Sequence, residues 1–447
     1  MRTALAFADG YLRARRNFIR LRGPALEAYQ DRLARGVIDH AVRLAPYYRE
    51  RFAGHDLSAW RALPESDKRS LMPRAGEANT CGISRDEAFE VALTAERTRD
   101  FRPTIRGVTV GLSSGTSGHR SVFLATRGEQ ARWVGTILAR LLPPFRARGY
   151  RITLFSLSGS NLYDDLRGRW IRFAHLDVTM AVDDAVRLLQ REPPDLLCGP
   201  PLYLRALAER QRAGALRIAP ERIITVADVL EPHVRHELVT AFGCPVGQVY
   251  QCSEGLVALS CPEESLHLQE DLTAIELEPI GSEAEGRYTP VITDLWHRSF
   301  PIIRYRLGDV VTLAPDPCPC GSAFRRLAAV EGRSDDVCEF ADDRGAPRLV
   351  FPATIRQMVL LACDDIVDFD AEQSRPSQLR VRVLVAAAAN APDVLERVQA
   401  SLDAGLAAQG IVGASVETMA DAPRVPGFKR RRIRRVPPTQ DEVVHER

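Results

Sequence analysis

Apolar and polar positions along the chain alternate between helical and extended periodicities. Residues 10–60 carry helical patterning rich in arginine, broken at Leu63-Pro64 and Met72-Pro73. Residues 108 to 113 read as a strand that runs into a Gly/Ser/Thr segment, and the 3.6-residue period between 126 and 142 predicts an amphipathic helix. Beyond it the pattern predicts strands at Arg151–Leu157, Asp195–Cys198, Arg222–Val226 and Val246–Tyr250. Helices are predicted between them at Ala181–Arg191, Leu202–Ala213 and His233–Phe242. Such alternation implies a parallel sheet with ligand-binding loops at the strand C-termini. From 268 to 313 the pattern turns β-rich. After a boundary near Gly332–Asp336, a helix around Pro352–Ala362, a strand at Leu379–Val385 and a helix at Asp393–Gln409 predict a small α+β domain.

Composition narrows the class. With 45% apolar and 26% charged residues in 447, the chain reads as a soluble globular protein of two or three domains. Its 60 basic and 58 acidic residues leave a net charge of +2, so no global field points to nucleic acid or acidic lipid. No apolar run reaches the roughly 18–20 residues that span a bilayer. The first residues lack a continuous apolar stretch and a cleavage site, which predicts a cytoplasmic protein. The basic run Lys429–Arg435 reads as a solvated face. Trp133 and Trp170 read as core, and His297 has no partner visible in sequence. Only two of the 60 basic residues are lysines, Lys68 and Lys429. A lysine kept in so arginine-rich a chain marks a place where a compact ammonium is wanted.

Nine cysteines without a secretory signal argue against a disulfide framework. Five are scattered singly and one, Cys252, lies in a motif. Cys318-Pro-Cys320 puts two thiols on one tight turn, and five residues separate Cys261 from His267 across a short loop. Two pairs of soft ligands on separate turns suit tetrahedral zinc. From spacing alone, two unrelated surface turns fit as well.

The segment Gly111-Leu-Ser113-Ser114-Gly115-Thr116-Ser117-Gly118-His119-Arg120 follows a strand directly. Glycines let backbone amides approach an anion, and the hydroxyls surround its oxygens. It is not a Walker loop, because no Gly-Lys-Ser/Thr ends it. After it come, in order, Tyr250-Gln-Cys-Ser253-Glu254-Gly, Tyr305-Arg-Leu-Gly308-Asp309, Gly332-Arg333-Ser-Asp335-Asp336 and Gly427-Phe-Lys429.

Over roughly residues 60–440 these ordered motifs resemble the adenylate-forming superfamily, and within it the phenylacetate–CoA ligase branch. The resemblance implies an α/β fold. A large N-terminal domain over 1–334, with parallel-rich sheets and a β-rich subdomain, would bind ATP and the acid; a small mobile α+β domain would occupy 335–447. It also implies that Ser113, Ser114, Gly115, Thr116, Ser117 and Gly118 cradle ATP phosphates and that Glu254 helps hold Mg2+. Tyr250 would stack on adenine beside Ser253, and Asp309 would bind the ribose with Arg333 beside it. Asp335 would be the hinge. Lys429, with Glu254 and Thr116 the catalytic set, would bridge the carboxylate and the α-phosphate. The branch carries a structural Zn2+, and its ligand pattern falls on Cys261, His267, Cys318 and Cys320.

Several positions depart from the pattern. His119-Arg120 stands where many relatives have Lys or Pro, Gln251 replaces Gly, Ser253 replaces Thr, Ala227-Asp228 precedes the adenine pocket, and Phe428 adds a residue before Lys429. The chain is also similar to a subgroup of adenylate-forming enzymes from aryl-polyene and other specialised-metabolite clusters. That similarity implies a small aromatic acid and CoA or a carrier-protein thiol as acceptor. Part of the acid pocket would lie at Phe155–Tyr163, where Asn161 and Tyr163 suit a hydroxylated ring or equally cap a helix. Two other readings stand beside this one: ATP-driven amide formation or diazotisation of an arylamine, and a silent zinc-stabilised binding protein. No nucleic-acid or membrane partner is expected, and homodimer formation is left open.

Overall fold

A computed structural model describes residues 2–113, 120–142, 149–156, 171–281, 286–420 and 432–436. The chain divides into two compact units, Met1–Leu307 with Thr312–Ala328, and Gly308–Val311 with Ala329–Arg447. That division comes a few residues before the 334/335 boundary expected from the motifs. No helix among the described residues is long and apolar enough to cross a membrane.

In the large unit the expected strand–helix alternation forms a parallel run. Its order is Ile171–Asp177, Tyr150–Ser156, Leu196–Gly199, Arg222–Thr225 and Val246–Cys252. The central Leu196–Gly199 strand is buried at every position, as a parallel strand covered on both faces must be. Helices Val182–Arg191, Pro201–Arg212 and Pro232–Phe242 make the crossovers. The edge strand Ile171–Asp177 was not foreseen: nearly all its positions are half-buried, so it has neither an apolar run nor clean alternation. After Val246–Cys252 the sheet turns antiparallel through Gly255–Ser260 and Leu266–Leu268, which pairs with the Arg326–Arg333 strand. Thr273–Pro279, Arg287–Asp294 and Tyr305–Arg306 form the β-rich part. The hairpin Val108–Leu112/Val122–Thr126 belongs to a separate three-stranded sheet.

The first helix, Arg2–Arg20, crosses Arg127–Leu141 at very short range. A Cβ on Gly10 would sit 2.3 Å from the Arg132 carbonyl oxygen, and one on Gly135 the same distance from that of Phe7. Only glycine permits backbones to approach so closely.

The small unit is a four-stranded sheet in the order Ser415–Ala420, Gln378–Val385, Ile366–Arg375, Ile433–Arg435. Helices Pro352–Leu360 and Ala391–Ala408 supply Ile355, Val359, Val398 and Leu402 to its core. The basic run is not a free patch. Arg432 pairs with Asp368 at 3.0 Å, Arg434 with Glu372 at 3.0 Å and Arg435 with Glu339 at 2.7 Å. These three arginines neutralise acids of their own unit.

The N-terminus of Arg127–Leu141 is fixed by Glu129. Thr126 and Glu129 form a capping box, and the same carboxylate accepts the backbone N–H groups of Arg298 and Ser299 and the Ser299 hydroxyl. Burial alone would raise the Glu129 carboxyl; the charge of His297 and the hydrogen bonds from Thr126 and Ser299 bring it down to about 2. A folded-state value below the ordinary 4.5 means stability that is present above pH 4.5 and lost as pH falls toward 2. Glu129→Gln is therefore expected to cost about 2–3 kcal/mol at neutral pH. In denaturant titrations the gap between the two proteins should close between pH 4.5 and about 2.

Candidate functional site

The Gly/Ser/Thr segment links the paired strands Val108–Leu112 and Val122–Thr126, and the described residues at its two ends close onto each other. The Ser113 N–H donates to the Ser121 carbonyl at 2.8 Å, and the Ser121 N–H donates to Ser113 Oγ at 2.7 Å. Arg120 donates from Nε to the Ser113 carbonyl at 2.8 Å and forks onto Glu96 with its other nitrogens. Arg120, where many relatives carry another residue, is thus a clamp on the loop's neck. Gly111 is required by the ring of Phe123, since a Cβ there would lie 2.2 Å from its Cζ.

Glu254 faces this neck. It sits in the tight turn between the antiparallel strands Val246–Cys252 and Gly255–Ser260, where a register shift between Tyr250 and Gln251 marks a bulge. Bulges of this kind re-aim side chains beside active sites. Glu254 is only 9% exposed. Its Oε1 accepts from Ser121 Oγ and from the Tyr305 hydroxyl, both at 3.1 Å. Among the described residues no cationic side chain lies within ion-pair distance of it. This is a buried carboxylate, not the solvated loop acid that its position alone suggests.

The small unit brings together a second pair. Arg333 donates to Asp309 Oδ1 at 3.3 Å, and the Ser334 N–H and hydroxyl close onto the Gly308 carbonyl. Gly308 has a φ of 70°, and the Arg333 guanidinium packs against it. Asp335 lies exposed in the short turn Ser334–Asp336, while Asp336 is buried.

The four soft ligands also converge. One ligand atom from each of Cys261, His267, Cys318 and Cys320 lies within 4.8 Å of all the others. Strand register explains this, because His267 pairs with Arg326, just after the turn that carries Cys318 and Cys320. The sulfurs of Cys261 and Cys318 are 3.7 Å apart, too far for a disulfide. That distance matches the edge of a tetrahedron with metal–sulfur bonds of about 2.3 Å, roughly 3.8 Å. His267 Nε2 lies 3.4 Å from Cys320 Sγ, near the shorter nitrogen–sulfur edge. The other ring nitrogen, Nδ1, donates to the Phe324 carbonyl at 2.9 Å, which leaves the Nε2 lone pair for a metal. Burial holds the His267 ring below its ordinary pKa and pushes the Cys261 thiol up to about 12. Ligation would reverse the second effect by exchanging the thiol proton for a cation.

No protein-family model matches the chain. It is 25% identical to the phenylacetate–coenzyme A ligase of Thermus thermophilus over 76% of each chain, and 26% identical to that of Aromatoleum evansii over 75% of each. Its fold is similar to a 2-hydroxyisobutyryl-CoA ligase solved in its postadenylation state, at a TM-score of 0.68 and 19% identity, covering 96% and 92% of the two chains. The chain thus resembles the phenylacetate–CoA ligases in sequence, and its fold is that of an adenylate-forming CoA ligase.

The described residues bring together Ser113 with the Glu254 turn, Asp309 with Arg333, and all four soft ligands. Tyr250 is half-buried on its strand, and Ser253 flanks Glu254 in the turn. Ser114, Gly115, Thr116, Ser117, Gly118 and Lys429 lie outside the described residues, as do Asn161 and Tyr163 of the expected acid pocket. Phe155, at the start of that segment, is fully buried against Tyr203, with ring centroids 4.6 Å apart. Sequence reasoning missed Ser121 and Tyr305, the two hydroxyls on Glu254. Tyr305 stood inside a quoted motif, while Ser121 had no signal beyond following the loop. His297, without a visible partner in sequence, donates from Nε2 to the Leu124 carbonyl at 2.5 Å.

Ala227 adopts a φ of 69°, a left-handed conformation that costs a residue with a Cβ about 1 kcal/mol. Ala227→Gly should therefore stabilise the fold by a few tenths to about 1 kcal/mol, partly offset by the freer unfolded chain. A chemical-denaturation midpoint that falls would show that this conformation is not the one the protein adopts.

Proposed function

We propose that this ligase activates a small aromatic carboxylic acid with ATP and passes the acyl group to the thiol of coenzyme A. The observation that carries this reading is the buried Glu254, held by Ser121 and Tyr305 at the neck of the Gly-rich loop. In the first half-reaction a carboxylate oxygen attacks the α-phosphorus and pyrophosphate leaves. In the second, the thiolate attacks the acyl carbon, AMP leaves and the thiol proton passes to solvent. Both reactants of the first step are anions, so catalysis here is mostly positioning and charge neutralisation.

Loop amides and hydroxyls over Ser113–Gly118 would hold the phosphates, with the neck kept shut by the Ser113–Ser121 pair and Arg120. Glu254 fits a divalent cation, because Oε1 is occupied by two hydroxyl donors and Oε2 has no protein donor among the described residues. Mg2+ bound there would neutralise phosphate charge. Asp309 would accept the ribose hydroxyls, with Arg333 holding its second face, and Tyr250 would stack on adenine. We assign Lys429 the bridge between carboxylate and α-phosphate, and Asp335 the hinge of the small unit. The four-ligand cluster is assigned structural zinc. Its donor set is closed and soft, and it leaves no open position for chemistry.

Pyrophosphate release from ATP and Mg2+, measured across aryl acids and arylamines with CoA, carrier protein or nitrite in turn, tests the reading. Release with an aryl acid, increased by CoA, is expected; release only with an arylamine and nitrite would overturn it. Lys429→Arg should lower adenylation about 10²–10³-fold while leaving the circular dichroism spectrum intact. The zinc assignment has its own test. Purified protein should carry one zinc per chain by elemental analysis, and Cys318→Ser should lose it and unfold roughly 5 °C or more lower. Metal-free protein with an unchanged melting temperature would remove the zinc.

A further inference from the structure

A cavity of about 270 Å³ opens beside the turn that carries Glu254, with no role assigned to it so far. Phe123, Trp133, Leu256, Leu272 and Trp296 give it apolar, largely aromatic walls, and Gln251 and Ser253 stand on its lining next to Glu254. A cavity of about 150 Å³ suffices for benzene, so this one takes a substituted ring but not a nucleotide. Trp133, expected as core, packs against the core and also lines this space.

Two polar groups face the apolar walls. Gln130 is 8% exposed, and its carboxamide makes no hydrogen bond among the described residues. Asp294 uses one oxygen, Oδ1, to accept the N–H groups of Trp296 and His297, both at 2.8 Å. Its Oδ2 lies 3.8 Å from where a Gly255 Cβ would stand and has no protein donor among the described residues. Burial lifts the Asp294 carboxyl above its ordinary pKa even though those two N–H groups and His297 oppose the shift. An acceptor and an amide with no protein partner among the described residues are open to a ligand that carries the matching groups. The other polar groups nearby are engaged. The Thr136 hydroxyl bonds the Arg132 carbonyl, Thr273 bonds the Leu256 carbonyl, and the Trp296 indole bonds the Asp271 carbonyl.

We propose that this cavity receives the acyl group and selects an aryl acid whose ring bears a hydrogen-bond donor, an amino or phenolic group, for Asp294 Oδ2 and Gln130. The ring lies between Phe123, Trp133 and Trp296, and the carboxylate sits at the rim by the Gln251–Ser253 stretch, next to Glu254. This assignment rests on the ligase reading above, and it also makes a claim about binding that needs no turnover.

Two readouts separate the two claims. The first is kcat/KM for pyrophosphate release with benzoate and phenylacetate against their ring-amino and ring-hydroxy analogues. It is measured for the wild type, for Asp294→Asn, which keeps an acceptor for the Trp296 and His297 N–H groups, and for Gln130→Leu. The wild type should favour donor-bearing acids at least tenfold, and that ratio should fall toward one in both variants. An absent preference, or one that both folded variants retain, overturns the assignment. The second readout is quenching of tryptophan fluorescence by the same acids without ATP. Quenching that weakens in both variants, alongside no pyrophosphate release from any acid, would sink the ligase reading and leave the cavity standing. No quenching by any of these acids overturns the cavity assignment whatever the turnover.

Discussion

A buried carboxylate with hydroxyl partners alone sets the terms for the rest of the large unit. Taking an ionised group out of water costs several kcal/mol even after relaxation. Two hydroxyl donors return about 1.5–3 kcal/mol each. Among the described residues no cation pairs with Glu254, which is why the proposed reading gives it a divalent cation. The same two hydrogen bonds make the site one object. Ser121 closes the neck of the Gly-rich hairpin, Tyr305 belongs to the β-rich part, and Glu254 stands where the sheet changes from parallel to antiparallel. Moving any of the three segments would unmake the acceptor geometry of the other two.

The parallel run was legible because its signals are local. Leu196–Gly199 is an apolar run ended by Gly199-Pro200-Pro201, and Arg127–Leu141 begins with Thr126 three residues before Glu129, so strand and helix announce their own limits. The Ile366–Arg375 strand was not foreseen. Its acids look like a solvated loop until their partners are known: Asp368 meets Arg432, Asp370 meets Arg382 and Glu372 meets Arg434. Charge at a half-buried position is paired across strands, and pairing at sequence distances of 64 and 62, as for Asp368 and Glu372, leaves no periodicity to read. The site was legible to the same degree. Motif order marked Glu254, Asp309 and Arg333 as candidates, and folding sets Glu254 against the loop's neck and Arg333 on Asp309; Ser121, Gln130 and Asp294 carry no such mark in the sequence.

The soft-ligand cluster shows how a feature remote from the reacting atoms bears on them. Arg222, on the Arg222–Thr225 strand, donates to the Cys261 carbonyl at 2.6 Å and pairs with Glu264 of the ligand loop at 3.0 Å. The neighbouring strand, Val246–Cys252, leads straight into the Glu254 turn. The turn between Cys261 and His267 is held by its own backbone bonds, Cys261 N–H to the Ser265 carbonyl at 2.9 Å and Glu264 N–H to that of Cys261 at 3.0 Å, with Glu264 at a φ of 56°. Four ligands closing on one point would hold that loop, and through Arg222 the strand beside the active turn, with no step of the reaction passing through them. Ligated in this way, a closed and mostly buried donor set would act as a brace, and in the proposed reading the chemistry falls to the Glu254 carboxylate instead.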